Sequence, residues 1–188
     1  MTCGPTPPGY WFDTNVERAG ELFLKALWIQ GQMADLLIFS ERPDLIAPFH
    51  ATPTELPGQF IQLRFEKWEK LNFGPTKDAF IATFGALLAD ADSDDLEYLS
   101  ALRNAIGHAH VSMGRDYFLY RPRTNREAAA IEGLALPPRE GAMEPSVIKL
   151  AFYDDEFYMD CFNRIKRLDE GCLRRVATAI GVQQSRIR

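Results

Sequence analysis

The stretch LSALRNAIGHAHVS, residues 99–112, decides how this chain is read. Leu96, Leu99, Leu102, Ile106 and Ala109 recur at helical spacing and predict a helix over roughly 93–111 with one apolar stripe. A helix turns by about 100° per residue. Asn104 and His108, four apart, therefore share a face, roughly opposite the stripe. Arg103 lies on the flank between. Gly107 costs about 1 kcal/mol of helix stability relative to Ala, and in exchange lets another backbone, chain or ligand come close. His110 points back toward the apolar side, which predicts a packing role.

Working outward, the other periodicities are also helical. Residues 14–40 predict a long helix capped by Thr14 or Asn15, with Leu22, Ala26, Ile29, Met33 and Leu36 on one face. Leu24, Leu27, Trp28 and Leu37 add a second apolar strip, so this helix is expected to touch neighbours on two sides. Arg42-Pro43-Asp44 ends it. Residues 44–58, rich in proline, read as a loop. A helix over 57–72 follows, with Phe60, Leu63, Phe65, Trp68 and Leu71, and Asn72-Phe73-Gly74-Pro75 breaks it. Thr76 is placed to cap the next helix, whose apolar set is Phe80, Ile81, Phe84, Leu87 and Leu88.

The acidic tract 90–95 reads as a turn and a helix start. It lacks the alternation and central glycine of a calcium loop. After the 93–111 helix, Asp116–Tyr120 and Ser146–Tyr153 predict two strands of a small ribbon. The polar connection between them carries EAAAIEGLAL, a short helix candidate. A last helix over 154–180 buries Phe162, Ile165, Leu168, Cys172, Val176 and Ile180, and Gly181 ends it. The expected fold is mainly α: a bundle of about five helices with a small β-ribbon after the 93–111 helix. Residues 1–10 are expected to be disordered and 11–188 to form a single domain.

Composition narrows the function classes. Hydrophobic residues at 46% and charged residues at 25% describe an ordinary globular chain that needs no metal or disulfide to hold its core. Cys3, Cys161 and Cys172 form no disulfide framework; the last two fall on an apolar stripe and read as core thiols. No membrane span is expected. The opening MTCGPTPPGYWF has neither the basic start nor the apolar core of a secretory signal. A cytoplasmic location follows as the expectation. A net charge of −5 argues against coating nucleic acid through bulk charge, while a focused local positive site remains compatible with it.

The face of Arg103, Asn104 and His108 offers a permanent cation, an orienting amide and an imidazole. RNA phosphodiester cleavage needs such parts. A base takes the 2′-hydroxyl proton, and a forked cation steadies charge growing on the phosphoryl oxygens. No metal is needed where the RNA supplies its own nucleophile. No metal set accompanies the motif: on a helix His108 and His110 diverge by roughly 160°, and His50 brings no CxxC or HExxH pattern with it. Arg115, Arg121, Arg123 and Arg126 interleave with Tyr117, Phe118 and Tyr120. That pattern fits a ribbon with a solvated charged edge, or an RNA-guiding rim. The plainer reading of the motif pairs Arg103 with Asp95 or Glu97 at the surface and leaves Asn104 and His108 solvated. The arginines and Lys166 of the last helix read as its solvated face.

Arg103, four intervening residues and His108, with Asn104 directly after the arginine on a late helix, resembles the HEPN superfamily. The match covers residues 99–110 and the general helical architecture. The resemblance implies a bundle that dimerises so that two motifs face one cleft. It implies a metal-independent endoribonuclease without cofactor, of the kind found in toxin–antitoxin and phage-defence systems. Arg103 and His108 would then be the catalytic pair and Asn104 their support. Arg115, Tyr117, Arg121 and Arg123 would contact RNA, and an antitoxin or regulatory protein would be a further partner. The same resemblance admits the alternative of a non-catalytic dimerisation module that binds RNA, a nucleotide or a protein.

Overall fold

The computed structural model describes residues 10–51, 56–68, 72–111, 116–132 and 147–183. It is mainly helical, with one small antiparallel sheet. In chain order the helices are α1 (Tyr10–Glu41), α2 (Ile46–Ala51), α3 (Gly58–Leu63), α4 (Phe73–Phe84), α5 (Asp90–His108), α6 (Asn125–Glu132), α7 (Asp155–Arg167) and α8 (Arg174–Ala179). The strands are β1 (His110–Val111), β2 (Phe118–Tyr120) and β3 (Ile148–Leu150). A π-helical stretch, Arg64–Trp68, continues α3, and another, Leu168–Leu173, joins α7 to α8. The chain divides into two compact units, Met1–Leu24 with Glu97–Asn163, and Lys25–Leu96 with Arg164–Arg188, the divisions falling inside α1, α5 and α7.

The first unit is built around a sheet of order β1-β2-β3, so the predicted two-strand ribbon gains a third strand from the residues after α5. Val111 pairs with Phe118, and Phe118 with Leu150. Phe118, Tyr120, Ile148 and Leu150 are buried, with Phe152, Leu99, Leu102 and Ala105. Asn15 does not cap α1, which begins earlier, at Tyr10. It is buried inside the helix, where its Oδ1 accepts a hydrogen bond from the Phe152 backbone N–H. Arg18 donates to the carbonyls of Phe152 and Tyr153 at 3.1 and 3.3 Å and pairs with Asp155 at 2.7 Å. Thr124 and Glu127 form a capping arrangement at α6: the Glu127 N–H donates to Thr124 Oγ1 at 3.0 Å, and Glu127 Oε2 accepts from the Arg123 N–H at 2.7 Å.

In the second unit, Phe39 stacks on Phe60 with ring centroids 4.9 Å apart and meets Phe49 edge-on at 4.9 Å. Phe49 belongs to α2, inside the stretch expected to be loop. Pro48 hides that helix from sequence reading, yet in the first turn its missing N–H leaves no helical hydrogen bond unmade. The same tolerance lets α4 start at Phe73 rather than after Pro75. Thr76 is therefore a buried first-turn residue that donates to the Asn72 carbonyl at 3.2 Å, not a cap. Asp92, three residues into α5, accepts from the Ala89 N–H at 2.6 Å, the capping role expected of the acidic tract.

Lys166, Arg167, Arg174 and Arg175 are exposed, as expected of a solvated face, and Arg164 is half-buried. Arg164 and Arg167 both reach buried Asp95, at 3.0 and 2.9 Å, and Arg175 pairs with Asp92. Cys161 and Cys172 are buried free thiols, as expected. Gly181, with φ +78°, ends α8.

One expectation for α1 is corrected. Leu24, Leu27 and Trp28 of the second apolar strip are exposed, and only Leu37 is buried. By length and composition α1 is also apolar enough to cross a membrane, with half of that stretch buried in the protein, as a core helix would have it. Of residues 1–10, expected to be disordered, Tyr10 opens α1, while residues 1–9, Leu71 and the prolines at 137 and 138 lie outside the described residues.

Asp35, on α1, pairs with Arg64 at 2.9 Å, and the guanidinium lies where Gly31 leaves space, since a Cβ there would come within 2.7 Å of Nη2. Burial, partly offset by Arg64, pushes the Asp35 carboxyl up to about 6. The folded chain then holds this proton more tightly than the unfolded chain does. The associated stability is present in acid and lost as pH rises through about 6. Asp35→Asn stays uncharged throughout. Chemical denaturation between about pH 5 and 7 is expected to show wild type losing stability relative to Asp35→Asn as pH rises. Parallel profiles would contradict this.

Candidate functional site

The site is built by α5. Leu99, Leu102 and Ala105 are buried, which turns the other side of the helix outward. Ala105 was missed as a core position, while Ile106 and Ala109 are only half-buried. Arg103 and Asn104 are half-buried, and Gly107 and His108 are exposed. His108 is the last residue of α5, and its side chain makes no hydrogen bond among the described residues. The five-residue step from Arg103 to His108 corresponds to about 140° around the helix axis, with Asn104 between them.

Arg103 is held from two sides. Its Nη1 donates to Asn104 Oδ1 at 3.3 Å, and its guanidinium carbon lies 5.6 Å from the centroid of the Phe23 ring on α1. Its Nε is buried without a hydrogen-bond partner. No ion pair forms between Arg103 and any described residue. Asp95, one of the carboxylates expected to satisfy it, is instead taken by Arg164 and Arg167. The Asn104 side chain orients Arg103 and has no hydrogen bond to the His108 side chain among the described residues.

Gly107 now has a definite neighbour. A Cβ there would lie 3.3 Å from Phe23 Cε2, so the missing side chain makes room for that ring. Phe23 escaped sequence reading because it sits eighty residues from Arg103; a bare glycine in a helix was the only local sign that something comes close.

His110 departs from expectation. The helix ends at His108, and His110 belongs to β1 opposite Leu119, with its side chain exposed. The helical angle that aimed it at the core does not apply two residues past the helix end.

Of the proposed RNA contacts, Arg121 and Arg123 are exposed, and Tyr117 is half-buried with Lys149 Nζ 4.3 Å above its ring. Arg115 lies outside the described residues. Strand pairing lays β2 alongside the residues that leave the motif, His110 opposite Leu119 and Val111 opposite Phe118. Among the described residues, Tyr117, Arg121 and Arg123 make no hydrogen bond or ion pair with Arg103, Asn104 or His108. The motif trio is thus one local constellation and the aromatic-basic segment a separate one. Among the described residues no group of three or more His, Cys, Asp or Glu side chains is placed to hold a metal ion.

Chemically, the motif presents an imidazole open to solvent and a guanidinium whose donors are not spent on carboxylates. The first suits proton transfer and the second suits an incoming oxyanion. Comparison with protein-family models, curated proteins and solved structures gives no match.

Carbethoxylation read by peptide mass spectrometry checks the geometry. His108 and His110, both exposed, are expected to react several-fold faster than His50, whose Nε2 accepts the Gln183 N–H at 2.9 Å. Protection of His108 equal to that of His50 would contradict the open imidazole.

Proposed function

We propose that this chain is a metal-independent endoribonuclease of HEPN type, cleaving single-stranded or loop RNA through the 2′-hydroxyl. One observation carries the reading: Arg103 is a half-buried arginine with no carboxylate partner among the described residues, on the flank of the helix that ends in an open histidine. Arg18, Arg64 and Arg164 each pair with an aspartate, which accounts for them structurally. Arg103 has no such account. An arginine left with free donors beside an imidazole fits phosphate recognition and general acid–base chemistry.

In this reading His108 takes or returns a proton at the 2′- or 5′-oxygen. Arg103 donates to the phosphoryl oxygens as charge builds on them. Asn104 holds the guanidinium at Nη1. The 2′-oxygen attacks phosphorus and the 5′-oxygen leaves with a proton, which gives a cyclic phosphate and a 5′-hydroxyl. The working unit is a homodimer in which two such motifs share a cleft, in the cytoplasm, with an antitoxin or regulatory protein as a further partner. Tyr117, Arg121 and Arg123 supply contacts along the strand.

The alternative, a non-catalytic RNA-, nucleotide- or protein-binding module, is favoured by the net charge of −5 and by the engagement of Arg103 with Phe23 and Asn104. Incubation of the purified protein with mixed cellular RNA and tRNA separates the two. Wild type is expected to yield cyclic phosphate ends with or without EDTA. His108→Ala is expected to lose about 10²–10⁴-fold in rate while sedimenting as the same dimer. Equal cleavage by His108→Ala removes the endoribonuclease reading, and wild-type binding without cleavage selects the alternative.

A further inference from the structure

We infer that Phe23 is a positioning residue for Arg103, and that Gly107 is glycine because Phe23 occupies the space a side chain would take. The inference rests on the reading of Arg103 as the phosphate-facing cation and extends the site to a residue on another helix. Two independent distances meet in one ring. The Arg103 guanidinium carbon lies 5.6 Å from the Phe23 centroid, and Phe23 Cε2 lies 3.3 Å from the position of a Cβ on Gly107. Arg103 and Gly107 are four apart, one above the other on α5, so a single aromatic side chain spans both.

An arginine has many rotamers, and holding one costs entropy. Among the described residues Arg103 has no carboxylate to fix it, and its hydrogen bond to Asn104 is long at 3.3 Å. The Phe23 face supplies a second restraint without consuming a donor: the ring attracts the cation through its quadrupole and occupies none of the five N–H groups. A carboxylate in that position would fix the guanidinium equally well but would compete with a phosphate for the same donors. Gly107 eases the arrangement, since a Cβ there, 3.3 Å from Phe23 Cε2, would require the ring to give by a few tenths of an ångström. The restraint acts through Arg103, so Phe23 itself touches no reacting atom.

The test compares Phe23→Leu, Phe23→Tyr, Arg103→Ala and the double variant Phe23→Leu/Arg103→Ala with wild type. Thermal denaturation comes first, to establish that each is folded. On an RNA oligonucleotide, Phe23→Leu is expected to lower kcat roughly 2- to 30-fold, the range a cation–π contact spans, with little change in KM. Phe23→Tyr, which keeps the ring, should return most of that loss. In the Arg103→Ala background Phe23→Leu should cost nothing further. Full activity in Phe23→Leu, no rescue by Phe23→Tyr, or an equal cost without Arg103 would overturn the inference.

A second readout needs neither activity nor a folded variant. In wild-type protein the Arg103 side-chain NMR resonances should carry a ring-current displacement relative to free arginine. Resonances at free-arginine positions would overturn the inference. Should wild type cleave no RNA, the functional reading falls and this spectroscopic result still decides the placement of Arg103.

Discussion

Burial of Leu99, Leu102 and Ala105 along one side of α5 fixes the direction of every other side chain on that helix. Helical geometry leaves no freedom once one side is committed to a core. Arg103, Asn104, Gly107 and His108 are thereby turned away from the packed side without needing any interaction of their own. A rotation of α5 that buried His108 would bring leucines into water, at roughly 1.5–3 kcal/mol per side chain. The apolar stripe is therefore what makes the polar face available for chemistry.

The arginines of the protein divide by what satisfies them. Arg164 and Arg167 converge on Asp95, which is buried and meets one with a single contact and the other with two. That arrangement joins α7 to the start of α5 within the second unit and gives each of the three side chains an ionic partner. Arg103 differs. Its buried Nε has no partner, a deficit of about 1–3 kcal/mol for such a donor, while a cation–π contact returns about 0.5–2 kcal/mol. Side chains that sequence places on a polar face, and that stability does not account for, are where function is sought.

The α5 stripe was legible in the sequence at Leu96, Leu99 and Leu102, where period and burial coincide, and the last helix likewise buries Ile165, Leu168, Cys172 and Val176, while Phe162 and Ile180, also expected inside, are only half-buried. Boundaries were less legible. Proline at 48 and 75 reads as a break, yet costs nothing in a first helical turn. Asn15 reads as a cap until a distant backbone N–H claims its amide. His110 was aimed by a helical angle that ends two residues earlier. The motif face of Arg103, Asn104 and His108 could be read locally, since all three share one helix. Phe23 could not, because its proximity to Arg103 is a product of tertiary packing. The aromatic-basic segment around Tyr117, Arg121 and Arg123 reads as a nucleic-acid rim from composition alone, while strand pairing carries it only as far as the chain leaving the motif.

The central claim is that Arg103 and His108 meet RNA. It is tested most directly by titrating isotope-labelled wild-type protein with a 2′-O-methyl RNA oligonucleotide, which cannot be cleaved, while following the side-chain resonances of Arg103 and all three histidines. The account predicts that Arg103 and His108 shift together along one saturable curve and that His50 stays in place. Saturable binding that leaves both Arg103 and His108 unmoved would contradict it.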